Sequence, residues 1–294
     1  MAKPNRLVLA KDSILSTFAN TPKRVYSKGQ LADVLLHNRR IWHLAEHTTS
    51  ADFISFLIGR GNLQAREFRS EAYRKTITRY SWGEASALDL AQSISARGYL
   101  CHATAAMLHG LTRLSTKTIY LNIEQSAKQS SGGLLTQEGI ARAFSGKQRQ
   151  SSLIYTYNGV SVIMISGKNT DRLGVEELAG PKSESLQVAN LERTLIDIIV
   201  RPAYAGGISQ VLKAYRAAKD RMSVNQLLAV LKKLDYLYPY HQSIGFVMQK
   251  TGYSEKNCAK LRALGLNHDF YLTHGLQEPE YSKDWRLFHP KDLR

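Results

Sequence analysis

Apolar positions in the first 60 residues recur with the period of an α-helix, in three short runs separated by polar breaks. Ile14, Leu15 and Phe18 fall on one face of the first run. The second and third runs repeat this spacing, with the expected buried stripes Leu31, Val34 and Leu35, then Phe53, Ile54, Leu57 and Ile58. The pattern therefore predicts helices over residues 12–19, 28–38 and about 50–59.

Residues that favour helix N-termini precede each run, because their side-chain oxygens accept hydrogen bonds from the first free backbone N–H groups. The candidates are Asp12 or Ser13, then Ser27, then Thr48, Thr49 or Ser50. Two strand-like stretches follow the third run, Leu63–Phe68 and Arg74–Tyr80, with a polar turn expected around residues 69–71. Three helices followed by a basic hairpin is the element order of a winged helix-turn-helix, which we assign to residues 1–82.

Residues 83–294 change in pattern and predict a larger mixed α/β domain with a helical C-terminal subdomain. Helices are expected over 85–97, 102–109 and 137–144, and strands over 117–123 and 186–189. The dipeptide Asn158-Gly159 predicts a type I′ hairpin between strands 152–157 and 160–165. Five helices are expected thereafter, near 191–200, 206–219, 223–235, 239–251 and 255–264. The fold class is thus α+β.

The excess of positive charge indicates the kind of binding partner. The 294 residues carry 40 Lys+Arg and 24 Asp+Glu, a net charge of +16. Residues 1–82 hold 14 basic and 6 acidic residues, so half of the excess lies on less than a third of the chain. Such a bias indicates a polyanionic partner, with nucleic acid favoured over a membrane surface. The two cysteines, Cys101 and Cys258, lie far apart and indicate a reducing, cytoplasmic compartment.

In the expected docking mode the third helix enters the major groove of operator DNA while basic side chains neutralise phosphates. The candidate DNA contacts are Lys28, Arg39, Arg40, Thr48, Thr49, Ser50, Ser55, Arg60, Arg66, Arg69, Arg74 and Lys75. Asp52 would repel phosphate, so we expect it to face a base edge or an arginine. Two interpretations of residues 39–47 stay open and are compatible: a loop presenting Arg39 and Arg40 to phosphates, and a plug in which Trp42 and Leu44 cover the small core.

A search of residues 83–294 for chemistry predicts no enzyme, no cofactor and no metal. His102 and His109 lie two helical turns apart without other ligands at metal-binding spacing, which favours a structural role. Arg193 and Asp197 have the spacing of a local i,i+4 ion pair. Gly206-Gly207 lacks the remaining residues of a phosphate-binding loop and is interpreted as a helix stop.

Several stretches of the chain resemble AbiEi-type antitoxins of type IV, abortive-infection toxin–antitoxin systems. The N-terminal stretch is Val25-Tyr26-Ser27-Lys28-Gly29-Gln30-Leu31-Ala32, continuing through Trp42 and Thr48-Thr49 to 53–57. The later stretches are His102–Leu111 with the strand Thr118–Leu121, Ala189–Asp197 with Arg201–Gly207, and Trp285-Arg286-Leu287. The resemblance spans nearly the whole chain.

The resemblance implies a two-domain antitoxin that represses its own operon by binding inverted repeats. Because a two-fold operator usually binds two copies of a protein, we expect two protomers per operator. It also implies that residues 83–294 counteract a nucleotidyltransferase-like toxin without forming a stable complex with it. The helix cap (Thr48, Thr49, Ser50), the loop arginines and the wing as a whole carry over from the family, whereas Arg66, Arg69, Arg74 and Lys75 individually rest on charge. Two alternatives stay open: a ligand-responsive transcriptional regulator, and a nuclease or toxin-modifying enzyme. A pocket gathering two carboxylates with a lysine or histidine would favour the enzyme.

Overall fold

The computed structural model describes residues 6–113, 117–127 and 134–293, and within them the chain is a mixed α+β protein with twelve α-helices and a nine-stranded sheet. The first part contains α1 (Arg6–Leu9), α2 (Lys11–Asn20), β1 (Val25–Tyr26), α3 (Lys28–Asn38), α4 (Ser50–Arg60), β2 (Leu63–Ser70) and β3 (Lys75–Trp82). The sheet-forming middle contains α5 (Ala87–Gln92), β4 (Tyr99–Leu100), α6 (His102–Leu108), β5 (Thr118–Glu124), α7 (Gln137–Ser145), β6 (Ile154–Tyr157), β7 (Val160–Gly167), β8 (Val175–Ala179) and β9 (Ser185–Ala189).

The last third is mainly helical. It contains α8 (Leu191–Val200), α9 (Ile208–Ala218), α10 (Val224–Leu234), α11 (Tyr240–Lys250), α12 (Glu255–Arg262), β10 (Phe270–Tyr271), β11 (Glu280–Ser282) and β12 (Leu287–His289). The three last strands form a small sheet in the order β10-β12-β11. None of the helices in the described parts of the chain combines the length and hydropathy that crossing a membrane requires.

The three predicted N-terminal helices are present, with differences at their ends. The Ser27 cap of α3 is confirmed, since its hydroxyl accepts from Gln30 N and the Gln30 side chain accepts from Ser27 N. The cap predicted at Asp12 or Ser13 is wrong, because α1 leads almost directly into α2 and Ala10 stands at the cap position. The hairpin turn was expected around residues 69–71, but β2 runs on through Ser70 and the turn lies at 71–74.

The type I′ turn predicted at Asn158-Gly159 is confirmed, with positive φ at both residues (46° and 75°). The helix predicted over 85–97 ends at Gln92 instead. The carbonyls of Ser93 and Ile94 accept hydrogen bonds from the Arg79 guanidinium, and the Ser93 hydroxyl donates to Leu90 O. These bonds favour a bend where continued helix was expected, and they join β3 to the following segment.

One continuous sheet crosses the boundary predicted after Trp82. Its strand order is β1-β3-β2-β6-β7-β5-β4-β9-β8. The hairpin β2–β3 pairs in antiparallel register over eight residue pairs, and β2 meets β6 through Arg69 and Thr156. β5 and β7 are parallel over seven pairs. The N-terminal helices thus stand at one end of a sheet whose other end belongs to the middle of the chain.

Three groups of buried side chains fill the described structure. The N-terminal group lies among α1–α4 and includes Phe18, Trp42 and Phe53. The second covers the sheet and draws Phe68 of β2 into contact with the middle of the chain. The third lies between α6–α12 and the last strands. α8 contributes Leu195, Ile196, Ile198 and Ile199 to the third group, and eight of its ten residues are buried.

The packing of Trp285 accounts for a glycine inside α11. Its indole is fully buried against Gly245 of α11, and its Nε1–H donates to Gln249 Oε1 at 2.5 Å. A Cβ at position 245 would overlap the indole ring. Gly59, near the end of α4, has no heavy atom within 4 Å of the position of a Cβ.

We expect Gly245→Ala to lower the melting temperature and Gly59→Ala to leave it unchanged or raise it slightly. Overpacking costs about 1–3 kcal/mol, whereas Gly to Ala in an open helical position gains about 0.5–1 kcal/mol. Thermal unfolding followed by circular dichroism measures both. Equal melting temperatures for the two variants would contradict the packing of Trp285 on Gly245.

Candidate nucleic-acid interface

The N-terminus of α4 is held by a reciprocal capping box. Thr49 Oγ1 accepts from Asp52 N at 3.1 Å, and Asp52 Oδ2 accepts from Thr49 N at 3.1 Å and from the Thr49 hydroxyl at 2.6 Å. The hydrogen bond from the Thr49 hydroxyl, followed by that from its backbone N–H, lowers the pKa of Asp52. The expectation that Asp52 faces a base edge or an arginine is therefore wrong, because its carboxylate caps its own helix.

The outward face of α4 consists of small side chains. Ala51, Ser55 and Gly59 are exposed, whereas Phe56 is buried with the rest of the core stripe. Ile58 was expected in that stripe, but it is 47% exposed and lies on the outward side. Such a face permits a close approach to the floor of a DNA groove, where a branched apolar side chain can contact a thymine methyl group.

The Arg39 guanidinium forms hydrogen bonds with the loop that leads into α4. Its Nη1 donates to Ala45 O at 2.7 Å and to Glu46 O at 2.5 Å, and its Nη2 donates to Thr48 O at 2.9 Å. The Arg39 guanidinium thus fixes the residues before the cap, and its predicted contact with phosphate stays a prediction. Arg40 is exposed and makes none of these bonds.

Trp42 and Leu44 plug the small core, as one of the two interpretations expects. Trp42 is 3% exposed and stacks on Phe53 of α4 with ring centroids 5.6 Å apart. Leu44 N donates to Arg39 O, which closes the loop. The segment between α3 and α4 is therefore ordered on both sides, by Trp42 from within and by the Arg39 guanidinium from the surface.

One face of the hairpin β2–β3 lies against the middle of the chain. Arg66 Nε donates to Ser81 Oγ at 2.9 Å, its Nη1 donates to the Tyr157 hydroxyl at 2.9 Å, and its Nη2 contacts Gln64 Oε1. Phe68 packs on the same Tyr157, with ring centroids 5.2 Å apart. Arg66 was predicted to contact DNA, but all three of its donor nitrogens serve contacts within the protein.

The exposed charge of the hairpin lies at its tip. Arg74, in the turn with φ of 48°, and Lys75 are exposed. Arg69 is also exposed, but Glu67 Oε2 lies 2.8 Å from its Nη2 and offsets part of its charge. The tip is fixed by Tyr73, whose hydroxyl lies 3.1 Å from Ser152 Oγ.

The structure thus brings together some predicted contacts and separates others. Arg39 bonds to Thr48 O, directly before the Thr49 cap and Ser50, the first residue of α4. Lys28, at the first position of α3, and Arg60, at the last position of α4, are exposed at their helix ends, and Ser55 is exposed within α4.

Arg79 holds two parts of the chain together and was not among the candidate DNA contacts predicted from the sequence. Its Nε donates to Ser93 O at 2.6 Å and its Nη2 to Ile94 O at 2.8 Å, and burial lowers the pKa of its guanidinium. It therefore connects the hairpin with the segment after α5. Its place opposite Arg66 in the hairpin register could have signalled this, because both side chains then share one sheet face.

A cleft of about 530 Å³ lies beside Arg79, between the first part of the chain and the middle. Lys23 and Arg24 line one side, and Asp89 and Glu184 the other. Glu184 accepts hydrogen bonds from the Ser86 hydroxyl and from Lys182 N. Burial, followed by the neighbouring Glu184 carboxylate, raises the pKa of Asp89 to about 6, while burial lowers the pKa of Lys23.

The histidines of the middle segment have structural environments. His102 is buried against Tyr204, with ring centroids 5.3 Å apart, and His109 Nε2 lies 2.7 Å from Ala189 O. Among the described residues no group of three or more His, Cys, Asp or Glu side chains is arranged to hold a metal ion. The predicted ion pair between Arg193 and Asp197 is confirmed at 2.8 Å, with both side chains 6% exposed.

Comparisons with known proteins place this arrangement in a fold. No protein-family model matches the chain, and no curated protein matches it. Among solved structures the chain is similar to the crystal structure of the RV2827C protein from Mycobacterium tuberculosis. The two share 15% sequence identity at a TM-score of 0.56, over 96% of this chain and 91% of that one. At this identity the similarity shows that the two proteins share a fold.

The raised pKa of Asp89 predicts a pH-dependent stability. The folded state keeps this proton up to about pH 6, whereas the unfolded chain releases it near pH 4. Stability therefore falls as pH rises between these values and stays lower above them. We expect Asp89→Asn to raise the melting temperature above pH 7 by about 2–4 °C, with no gain below pH 4.

Thermal unfolding at pH 4 and pH 8 measures the effect. Glu177→Gln, which removes an exposed carboxylate from β8, is the matched control and should behave alike at both values. A gain for Asp89→Asn that is equal at pH 4 and pH 8 would contradict a half-buried carboxyl group with a raised pKa in the cleft.

Proposed function

We propose that this protein is a DNA-binding repressor of its own operon and the antitoxin of a type IV toxin–antitoxin system. In this proposal residues 1–82 act as a winged helix-turn-helix. α3 and α4 are its helix pair, α4 enters the major groove, and the hairpin β2–β3 is the wing. Residues 83–294 carry the antitoxin activity against a nucleotidyltransferase-like toxin, without a stable complex between the two proteins.

The observation that carries the DNA-binding proposal is the capped, small-residue face of α4. A helix of 10–12 Å diameter fits the major groove only if its outward side chains let it approach. Ala51, Ser55 and Gly59 do so, and Ile58 adds an apolar contact. The N-terminus of α4 would place Thr48, Thr49 and Ser50 at the groove, where the exposed Asp52 carboxylate favours contact with base edges over contact with a phosphate.

The phosphate contacts in the proposal are the exposed cations around this face. They are Lys28, Arg40, Arg60, Arg69, Arg74 and Lys75. Arg39 and Arg66 become positioning residues, because each holds the backbone or the neighbouring strand through several hydrogen bonds. Two protomers on inverted repeats would place two α4 helices in successive major grooves.

The antitoxin part of the proposal is supported by the resemblance of later segments to the AbiEi-type family. The matching stretches form α6 with β5 and α8 with the following turn, which are neighbours around His102, Tyr120 and Tyr204. These stretches build the centre of the molecule. In the proposal these stretches have a structural role that members of the family would share.

We expect the triple variant Arg40→Ala, Arg74→Ala, Lys75→Ala to bind its promoter at least tenfold more weakly, with an unchanged melting temperature. Each lost phosphate contact reduces the slope of log affinity against log salt by about 0.9. Fluorescence anisotropy with promoter duplex over a salt series measures both quantities. The control Lys182→Ala, Lys283→Ala, Lys291→Ala removes the same charge from exposed positions elsewhere.

Equal binding by the triple variant and the parent would remove the proposed interface. Arg39→Ala is expected to differ from the triple variant, since it lowers the melting temperature along with the affinity. A parent protein that binds promoter and scrambled duplex equally would contradict operator recognition.

Co-expression separates the two activities. We expect cells that carry the toxin to grow when the full-length triple variant is supplied, and to arrest when the toxin is expressed alone. The full-length chain is used because removing residues 1–82 would strip β2 from β6 and expose a sheet edge. Growth arrest with an abundant, folded triple variant would show that antitoxicity depends on DNA binding.

The cleft is the observation that favours the alternatives. It gathers the carboxyl groups of Asp89 and Glu184 with Lys23, the set of residue types expected of an enzyme, and its place between the two parts of the chain also suits a regulatory ligand. Glu184 is held by Ser86 and Lys182, which favours a structural role. The double variant Asp89→Asn, Glu184→Gln distinguishes the enzyme from the proposed function. An enzyme would lose antitoxicity although the variant is folded, whereas the proposed antitoxin keeps it.

A further inference from the structure

The cleft between the first part of the chain and the middle holds charges of both signs that do not form contact pairs. Lys23 and Arg24 line one side, and Asp89 and Glu184 line the other. None of these four side chains forms an ion pair among the residues that the structure describes. A space of about 530 Å³ separates the two sides instead.

The Asp89 carboxylate is the least compensated of the four groups. It is half-buried, and within the described parts of the chain its side chain accepts no hydrogen bond, since the bond from Asp89 to Ser86 involves only the backbone N–H. Burial and the Glu184 carboxylate raise its pKa, and the opposing effect of Lys23 is smaller. Charged groups removed from water are usually paired, and uncompensated ones are common at binding sites.

The Glu184 carboxylate has a fixed orientation and spare acceptor capacity. It accepts hydrogen bonds from the Ser86 hydroxyl and from Lys182 N, the latter at 2.7 Å. Because each carboxylate oxygen can accept two hydrogen bonds, these contacts position the group without saturating it. Glu184 and Asp89 together therefore offer acceptors for an ammonium group.

The opposite side of the cleft offers donors for a carboxylate. The Lys23 Nζ lies 5.5 Å from the centroid of the Tyr26 ring, and Arg24 is half-buried. A guanidinium can bind a carboxylate through two parallel hydrogen bonds. Arg79 also lines the cleft, but its three guanidinium nitrogens donate to backbone carbonyls. Lys23 and Arg24 are therefore the cations that a ligand would meet.

The size and the lining of the cleft suit a small polar molecule. Its volume falls within the range of about 300–1,000 Å³ that small-molecule sites occupy. Most of the lining side chains end in charged, hydroxyl or amide groups, and the uncharged ones include Ser27, Gln30, Gln92, Ser93 and Ser95. An apolar ligand would leave these groups without hydrogen bonds, which is costly.

We propose that this cleft binds a free polar amino acid, with the ammonium group at Asp89 and Glu184 and the carboxylate at Lys23 and Arg24. A zwitterion satisfies both sides at once. A phosphate would pair with the two cations but face two carboxylates, and a diamine would meet the reverse conflict.

The proposed site goes beyond the proposed function and does not depend on it. The described residues that line the cleft include none from α4. Binding of an amino acid can therefore be measured with the protein alone, in the absence of DNA and toxin.

The first test adds each of the twenty standard L-amino acids, at millimolar concentration, to the full-length protein. We expect at least one polar amino acid to raise the melting temperature by about 2 °C or more, because a ligand that binds only the folded state stabilises it. Isothermal titration calorimetry then compares that amino acid with its N-acetyl derivative and its carboxamide. Each derivative lacks one of the two charges, so each should bind about tenfold more weakly or worse.

Two double variants assign the two charges to the two sides of the cleft. Asp89→Asn with Glu184→Gln should bind the amino acid about tenfold more weakly and should no longer distinguish it from its N-acetyl derivative. Lys23→Gln with Arg24→Gln should no longer distinguish it from its carboxamide. The matched controls change exposed residues outside the cleft: Glu176→Gln with Glu177→Gln on β8, and Lys213→Gln with Arg216→Gln on α9. Circular dichroism checks that all four variants fold.

A panel in which no amino acid changes the melting temperature would overturn the proposal. Equal binding of the amino acid by the cleft variants and their controls would also overturn it, as would a parent protein that binds the N-acetyl derivative as tightly as the amino acid. Failure of the proposed function shows up differently, as equal binding of promoter and scrambled duplex by the parent protein.

Discussion

The guanidinium of Arg193 is the interaction on which the arrangement of sheet and helices depends. Its Nε donates to Asp197 at 2.8 Å within α8, its Nη1 donates to Leu173 O at 2.8 Å, and its Nη2 donates to the Tyr99 hydroxyl of β4 at 3.2 Å. Burial alone would lower the pKa of Arg193, but the Asp197 carboxylate together with Tyr99 and Tyr236 outweighs burial and raises it. Loss of one partner from such a pair costs about 3–5 kcal/mol, because the other charge stays buried.

The network extends from this pair into the sheet. The Tyr99 hydroxyl accepts from Asn122 Nδ2 and donates to Glu124 Oε1, and Glu124 also accepts from Thr170 N at 2.9 Å. β4, β5 and the loop before β8 are thus fixed to α8 through polar contacts. Since α8 also packs on α9, α10 and α11, the helical segment has a defined position relative to the sheet.

The same sheet connects the N-terminal helices to this network. β2 and β3 are members of it, and Arg66 and Arg79 fasten the hairpin to Tyr157 and to the carbonyls of Ser93 and Ile94. A wing on a flexible linker could move independently of the rest of the protein. Here Arg66 and Arg79 bond the hairpin to the middle of the chain. The exposed cations of the hairpin therefore lie at its tip.

Sequence reasoning reached the elements with strong periodicity or a distinctive cap. The Ser27 cap, the turn at Asn158-Gly159 and the Arg193–Asp197 pair depend on residues close in the chain, so local rules were sufficient. It missed β4 and β8, which consist of two and five residues and are stabilised by distant partners.

The candidate interface shows the same division between local and long-range information. Exposure of Ser55 follows from the helical period of α4. The hydrogen bonds of Arg39 and Arg66 do not follow from any local period, because their partners are backbone carbonyls of a long loop and a tyrosine 91 residues away. An arginine in a basic segment can neutralise phosphate or organise backbone, and composition alone cannot distinguish the two.

The structure suggests why a protein with this α4 would need charge elsewhere. A face of Ala51, Ser55, Ile58 and Gly59 can discriminate bases, but it contributes no cation to the electrostatic attraction that supplies much of the affinity for DNA. In the proposed function that attraction must come from the rim of the interface. The rim loses Arg39 and Arg66 to structural roles, and part of Arg69 to Glu67. The proposed phosphate contacts that remain at this rim include Arg40, Arg74 and Lys75, and in the proposed function α4 keeps the choice of sequence.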